Sequence, residues 1–402
     1  MNDVAHVRVQ IALPDAGGRL TTYALREPRA FAKRAKRAFT RVAYSAAHVV
    51  SDPLAPINPT LDVAIDWDAT IAYRRHLWSL GMGVAEAMDT AQRGMGLDWP
   101  TSLELIRRTL DAARDVPGAR VASGAGTDHL VPEAARSLDD VIAAYEEQVG
   151  AIEVLGGRII LMASRALAHI ARSPDDYAYV YAKVLSQVRE PVILHWLGEM
   201  FDPALIGYWS GRRDAGADPN HAAAMDVCAA VIAGNAAKID GIKVSLLDAG
   251  KEIDLRRRLP PGVKMYTGDD FNYAELIAGD AQHYSHALLG IFDAIAPAAS
   301  AALAELADGN VDAFHEILAP TVPLSRHIFA APTRFYKTGV VFMAWLNGHQ
   351  SHFTMVGGQQ SARSLLHLAD LFRLADRAGL LSDPERAVAR MRALLALHGV
   401  GS

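Results

Sequence analysis

The chain has 402 residues, 51% of them hydrophobic, with 40 basic against 45 acidic side chains for a net charge of −5, and a single cysteine. It reads as a globular protein with a large core, built as one big domain or two ordinary ones, and one cysteine excludes a disulfide framework within the chain. Charge is nearly balanced without a long single-sign run, and no apolar run approaches the roughly 18 residues that span a bilayer, so neither a nucleic-acid nor a membrane partner is expected. The N-terminus lacks a basic segment followed by an apolar core, which makes the cytoplasm the default location.

Residues 7–24 alternate around an Asp-Ala-Gly-Gly turn, with Val7, Val9 and Ile11 before it and Leu20, Thr22 and Ala24 after, and predict a small hairpin. A basic stretch follows, holding Arg26, Arg29, Lys33, Arg34, Lys36, Arg37 and Arg41. It reads as a solvated face or an interface. From about residue 41 the rhythm changes to short apolar runs, each followed by a longer segment with helical spacing. The strand candidates are Arg41–Ala47, Gly83–Met88, Ala119–Gly124, Arg158–Met162, Pro191–Trp196, Gly241–Leu246, Val263–Thr267 and His283–Leu288. Helical stretches between them are Trp67–Leu80, Ser102–Arg114, Leu138–Val154, Pro174–Val188, His221–Ala236 and Ala274–Ala278. Eight strands alternating with helices imply an α/β fold of the (β/α)8 TIM-barrel type, with helices outside a parallel sheet. The predicted organisation is an N-terminal extension over 1–40, a barrel over 41–300 and a C-terminal helical region over 301–402 packed on the barrel. In that last region Ser361–Gly379 and Pro384–His398 are the most regular segments.

Catalytic groups of such barrels sit at the C-terminal ends of the strands. The predicted strand ends carry His48, Asp89 with Thr90, Asp128 with His129, Arg165, His195, Lys243, Asp269 with Asp270, and His286. Lys243 stands out, because it lies in the short apolar run Gly-Ile-Lys-Val-Ser, where an ammonium is costly to place. An amine among apolar walls loses hydration, its pKa falls from about 10.4 toward neutrality, and it can attack a carbonyl to form a Schiff base. The competing reading of this segment alone is an ion-paired or snorkelling lysine. Cys228, in a helix-like apolar stretch, reads as packing.

Gly-Ile-Lys-Val-Ser (241–245), Thr-Gly-Asp-Asp (267–270), Val-Ala-Ser-Gly-Ala-Gly-Thr-Asp (121–128), Leu-Asp-Trp-Pro-Thr-Ser-Leu-Glu-Leu-Ile (97–106) and the late Arg-Phe-Tyr-Lys (334–337) stand in an order that resembles the dihydrodipicolinate synthase and N-acetylneuraminate lyase family. The likeness runs from about residue 41 to 380. It implies a barrel lyase of class I aldolase type, with Lys243 on the Schiff-base nucleophile, no cofactor, and a homo-oligomer such as a dimer or tetramer. The chain departs from the family where the usual substrate is defined. The family's Gly-Thr-Thr-Gly-Glu is matched by Asp89-Thr90-Ala91-Gln92-Arg93, its fifth-strand tyrosine by His195 and the following arginine by Met200. The resemblance is therefore to a divergent branch, whose carbonyl substrate need not be a 2-keto acid.

His195 suits general acid–base work, since imidazole titrates near 6.5 unperturbed, while the alternative is a core histidine bonded to backbone. Asp89, with Asp269 or Asp270, would accept hydrogen bonds from hydroxyl groups, which points to a small, sugar-derived carbonyl compound. Asp270 has a competing task in the glycine turn begun by Gly268, so Asp89 ranks above it. Thr90, His48 and His286 complete the expected binding rim, and Arg165 would hold an anionic substituent or an exposed ion pair. Tyr266 reads as packing. Two other classes stay open. One is a metal-dependent barrel lyase or isomerase drawing ligands from fifteen histidines with Asp89, Glu199, Asp269 and Asp270, although no His-Glu-x-x-His spacing occurs; the other is a barrel that binds a small molecule without catalysis.

Overall fold

The computed structural model describes residues 9–31, 38–211 and 221–401. An antiparallel hairpin, β1 (Gln10–Pro14) and β2 (Leu20–Ala24), precedes eight parallel strands that close into a barrel. These are β3 (Ala43–Ala46), β4 (Gly83–Glu86), β5 (Val121–Ala125), β6 (Arg158–Leu161), β7 (Val192–Leu197), β8 (Ile239–Ser245), β9 (Lys264–Thr267) and β10 (His286–Leu289). Each pairs with the next in sequence, and β10 closes on β3. All eight predicted strands are present, with ends displaced by at most three residues. Such strands are buried on both faces and read as apolar runs. Side chains alternate across the sheet, so Leu194, Trp196, Ile242 and Val244 join the large core under the helices, while Tyr44, Ala85, Ile160, Ile193, Tyr266 and Leu288 fill the barrel interior.

The outer helices are α1 (Trp67–Ser79), α2 (Trp99–Arg114), α3 (Leu138–Val154), the short α4 (Arg165–Ile170), α5 (Pro174–Gln187), α6 (Ala222–Gly234), α7 (Ala249–Arg257) and α8 (Tyr273–Ala278). Their starts are set by side-chain caps at Asp66, Asp98, Ser137 and Asp248. Helix α7 was not expected. Its sequence Ala-Gly-Lys-Glu-Ile-Asp-Leu-Arg-Arg carries only two large apolar residues and shows no apolar period; the Asp248 cap and burial of Leu255 form it nonetheless.

After the barrel come α9 (Ile291–Ala294), α10 (Ala296–Ala307), α11 (Val311–Leu318), α12 (Val322–Ile328), α13 (Tyr336–Leu346), α14 (Leu365–Arg377) and α15 (Pro384–Leu397). Every residue of α13 is buried. A helix apolar all round has no amphipathic period, whereas α14 and α15 have one apolar face each, and only those two were legible. The hairpin is tied to the same region: the Tyr23 hydroxyl donates to Asp376 at 2.7 Å and Arg373 donates to the Pro14 carbonyl at 2.9 Å. Of the basic stretch, Lys33, Arg34, Lys36 and Arg37 lie outside the described residues, as does Val7 of the hairpin pattern. Arg41 lies over the Tyr284 ring and donates to the Ile277 carbonyl at 2.9 Å. Cys228 is fully buried, and burial pushes its thiol pKa up. No helix among the described residues is long and apolar enough to cross a membrane.

Candidate active site

Lys243 is in register with His195 on one side and Tyr266 on the other, so on neighbouring parallel strands the lysine and the histidine point the same way, into the barrel. The lysine is 7% exposed. A β-carbon on Gly268 would lie 2.3 Å from Ser245 Oγ, 2.7 Å from the Val244 carbonyl oxygen and 2.8 Å from Lys243 Cε. Glycine is needed there for space. Burial lowers the Lys243 pKa, and the nearby carboxylates of Asp89 and Asp270 pull it partly back up. Among the described residues the ammonium has no ion pair within 4.0 Å.

The His195 ring is fully buried, with Nε2 3.3 Å from Ser245 Oγ and Nδ1 4.0 Å from an Asp89 oxygen but without a hydrogen bond. Burial, reinforced by the Lys243 charge, drives its pKa well below 6.5. Both effects favour the uncharged ring, and among the described residues its Nδ1 has no hydrogen-bond partner. Asp89 and Thr90 lie on the single turn that follows β4 (Asp89–Ala91). The Thr90 hydroxyl is 2.8 Å from that of Tyr336, the first residue of α13, which is itself stacked on Phe329 at 4.3 Å.

The two aspartates after β9 divide the work differently from expectation. Asp269 takes the turn, accepting the Phe271 and Asn272 amides at 2.8 and 3.0 Å. Asp270 accepts the Ile291 amide at 2.8 Å, is buried, and stands close enough to Lys243 for each to act on the other's charge. Burial pushes its carboxyl up to about 7, against the stabilising Ile291 amide and the lysine.

A cavity of about 80 Å³ opens on the Asp89 and His195 side of this cluster, lined also by Arg93, Asp128, Arg165 and Asp202. Arg165 opens α4 next to the Ser164 cap and is paired with Asp202 at 2.5 Å. Arg93 is spent on the rim, bonded to Asp128, to Gln148 at 2.8 Å and to the Gly124 carbonyl at 3.0 Å. His129 bonds Gln148 at 2.8 Å.

The structure thus gathers Lys243, His195, Asp89, Thr90, Asp270 and Arg165, with Gly268 as the gap that admits the lysine. Two expected rim residues are placed or engaged differently. His286 is the first residue of β10, not its end, and its ring accepts the Val42 amide at 2.9 Å among Arg41, Lys264 and Asp240, which flank or begin their strands at the opposite mouth. His48 is at the correct rim, but its Nδ1 is 2.8 Å from Asp293 and its ring packs on Tyr73. Tyr266 does more than pack, donating to Asp240 at 2.7 Å.

Sequence reasoning missed Tyr336 and Lys337 as site residues. Lys337 is 4% exposed and feels the charges of Asp89 and Asp202. The Arg-Phe-Tyr-Lys segment was noticed as a family likeness, and a lysine opening an apolar run is the same feature that singled out Lys243. Among the described residues no group of three or more His, Cys, Asp or Glu is arranged to hold a metal ion.

Solved structures share this fold at low sequence identity. A monomeric dihydrodipicolinate synthase variant aligns over 85% of this chain and 97% of its own, at 15% identity and a TM-score of 0.62. YagE of E. coli K12, a prophage protein of the dihydrodipicolinic acid synthase family solved with pyruvate, aligns over 85% and 99% at 14% identity and a TM-score of 0.64. The dihydrodipicolinate synthase of Aquifex aeolicus aligns over 90% and 98% at 11% identity and a TM-score of 0.59. No curated protein sequence matches significantly. The family model described as a protein of unknown function, DUF993, matches residues 11–400, so the chain belongs to the DUF993 family, on a barrel shared with dihydrodipicolinate synthases.

Proposed function

We propose that this protein is a Schiff-base-forming lyase of class I aldolase type, acting through Lys243 on a small, sugar-derived carbonyl compound. The observation that carries the reading is a buried lysine amine at the C-terminal rim of the barrel, without a direct ion-pair partner among the described residues and next to the Asp270 carboxyl, which burial pushes up to about 7. Burial favours the neutral, nucleophilic form of the amine. Its nitrogen lone pair forms a bond to the carbonyl carbon, the oxygen takes a proton, and loss of water leaves an iminium on Nζ. The iminium then accepts the electron pair released when a carbon–carbon bond or a neighbouring C–H bond breaks.

Asp270, with its carboxyl near 7, is the group matched to deliver and recover protons at the nitrogen end. His195, whose uncharged form is favoured by burial, has an Nδ1 without a hydrogen-bond partner among the described residues that is placed to exchange a hydrogen bond with a substrate hydroxyl. The Tyr336 phenol, held by Thr90, is a second donor, since burial keeps it protonated. Asp89, facing the cavity where the family's amide-rich turn would stand, favours hydroxyl groups over a carboxylate at that position. The relatives' fold and the pyruvate held by YagE agree with carbonyl chemistry on this scaffold.

Borohydride reduction in the presence of a panel of keto-sugars, sugar acids and 2-keto acids, followed by peptide mass mapping, tests the reading. A reduced adduct confined to Lys243 and absent from K243A supports it. Adducts scattered over surface lysines, or none, would overturn it.

A further inference from the structure

We infer that Ser245 is a positioning residue that holds the His195 ring with its proton on Nδ1, and that His195 and Asp89 together bind a hydroxyl group of the substrate, the ring as donor and the carboxylate as acceptor. The tautomer stands on the geometry alone; placing that hydroxyl on a carbonyl compound rests on the Schiff-base reading of Lys243.

Ser245 closes β8 two residues beyond Lys243, a spacing that returns its side chain to the lysine's face of the strand. It is 2% exposed. Among the described residues its hydroxyl has one hydrogen-bond partner, His195 Nε2 at 3.3 Å, and that nitrogen has no other. A neutral imidazole carries one N–H and one bare nitrogen, and a hydroxyl has a single proton to give. With the ring proton on Nε2, Ser245 would accept it, and its own O–H would be buried without an acceptor among the described residues. That is the costlier arrangement, since a buried donor left unpaired loses its hydration for nothing. With the ring proton on Nδ1, Ser245 donates to Nε2 and both groups are satisfied on that side.

The other side of the ring agrees. Nδ1 stands 4.0 Å from an Asp89 oxygen, and a carboxylate favours an N–H over a lone pair turned toward it. This distance is too long for a hydrogen bond and fits a single oxygen about 2.8 Å from each group. Such an oxygen receives the Nδ1 proton's hydrogen bond and gives its own proton to Asp89. A hydroxyl does both, whereas a carboxylate or ketone oxygen has no proton to give. His195 and Asp89 both line the cavity, and the Asp89 side chain, 18% exposed where the His195 ring is fully covered, is the partner that turns to admit the hydroxyl.

The two residues then divide the chemistry. In aldol cleavage of an iminium on Lys243, the hydroxyl proton passes to Asp89 and the O–H pair becomes the new carbonyl bond. The carbon–carbon pair forms the enamine double bond, and the iminium π pair returns to Nζ. The His195 N–H steadies the oxygen as negative charge gathers on it, and keeps its own proton throughout.

Two measurements test the inference. Nitrogen-15 spectra of the full chain labelled at histidine, with His195 assigned by its loss in H195Q, read the tautomer directly. In wild type Nδ1 should carry the proton and Nε2 should resonate as a bare nitrogen, and S245A should shift the Nε2 resonance. A proton on Nε2 in wild type, or identical His195 signals in wild type and S245A, overturns the role of Ser245. In borohydride trapping, 4-hydroxybutan-2-one should label Lys243 at about tenfold lower concentration than butan-2-one, and H195Q, which presents no donor at the Nδ1 position, should bring the two together. Equal labelling in wild type, or an undiminished advantage in H195Q, overturns the hydroxyl assignment. If neither compound labels Lys243 in any variant, the Schiff-base reading falls and the hydroxyl assignment with it, while the spectra still decide the tautomer.

Discussion

A lysine among apolar neighbours has two opposed tendencies, and at Lys243 both are measurable. Burial lowers its pKa while the carboxylates of Asp89 and Asp270 raise it. A carboxylate favours the charged form of an adjacent amine, so D270N should lower the Lys243 pKa further. The pH of half-maximal borohydride labelling should then move down by about one unit. An unchanged or upward-moved profile would show that Asp270 does not govern the amine. Gly268 sets a second constraint at this scale, since an added methyl would sit 2.3 Å from Ser245 Oγ, 2.7 Å from the Val244 carbonyl and 2.8 Å from the lysine stem. Gly268→Ala should cost about 1–3 kcal/mol in denaturant unfolding and sharply reduce labelling of Lys243. At single residues the sequence was legible where chemistry and burial conflict. It showed Lys243 and His195 because a polar group in an apolar run is conspicuous. It misplaced His286 because the strand was taken to start three residues early, which put a residue of the opposite mouth on the wrong end.

Among elements, the least legible helix is the one most involved in the site. Helix α13 presents no polar face, so its sequence has no period, and its contact with the loop after β4 joins positions 246 residues apart. Nothing local to either segment encodes that pairing. The strands, by contrast, announced themselves as apolar runs bounded by turn residues, and the barrel followed from their count. The Thr90–Tyr336 bond is the link between the two regions, and it is testable as a pair. T90V and Y336F should each destabilise the protein, with a non-additive coupling of about 1 kcal/mol in a double-mutant cycle. Strict additivity would mean that the two hydroxyls do not hold each other.

For the whole molecule, the barrel and the helices after it share one core, with α13 packed on α9 and the hairpin fastened to α14 and α15. The chain should therefore unfold in one step. Trp196 of β7 and Trp345 of α13 report on the two regions, and single-tryptophan variants retaining one or the other should give coincident denaturation midpoints. Separated midpoints would show that the C-terminal helices are an independent unit.

The complete burial of α13 also has a consequence in time. During synthesis, at about 5–20 residues per second, Lys243 leaves the ribosome several seconds before Tyr336 and Lys337. Through that interval the nascent chain carries a strand-borne amine with neither the phenol nor the second ammonium beside it. A chain stalled or cleaved before α13 would hold Lys243 and lack Tyr336 and Lys337, so under the Schiff-base reading α13 makes reactivity conditional on synthesis well past the barrel.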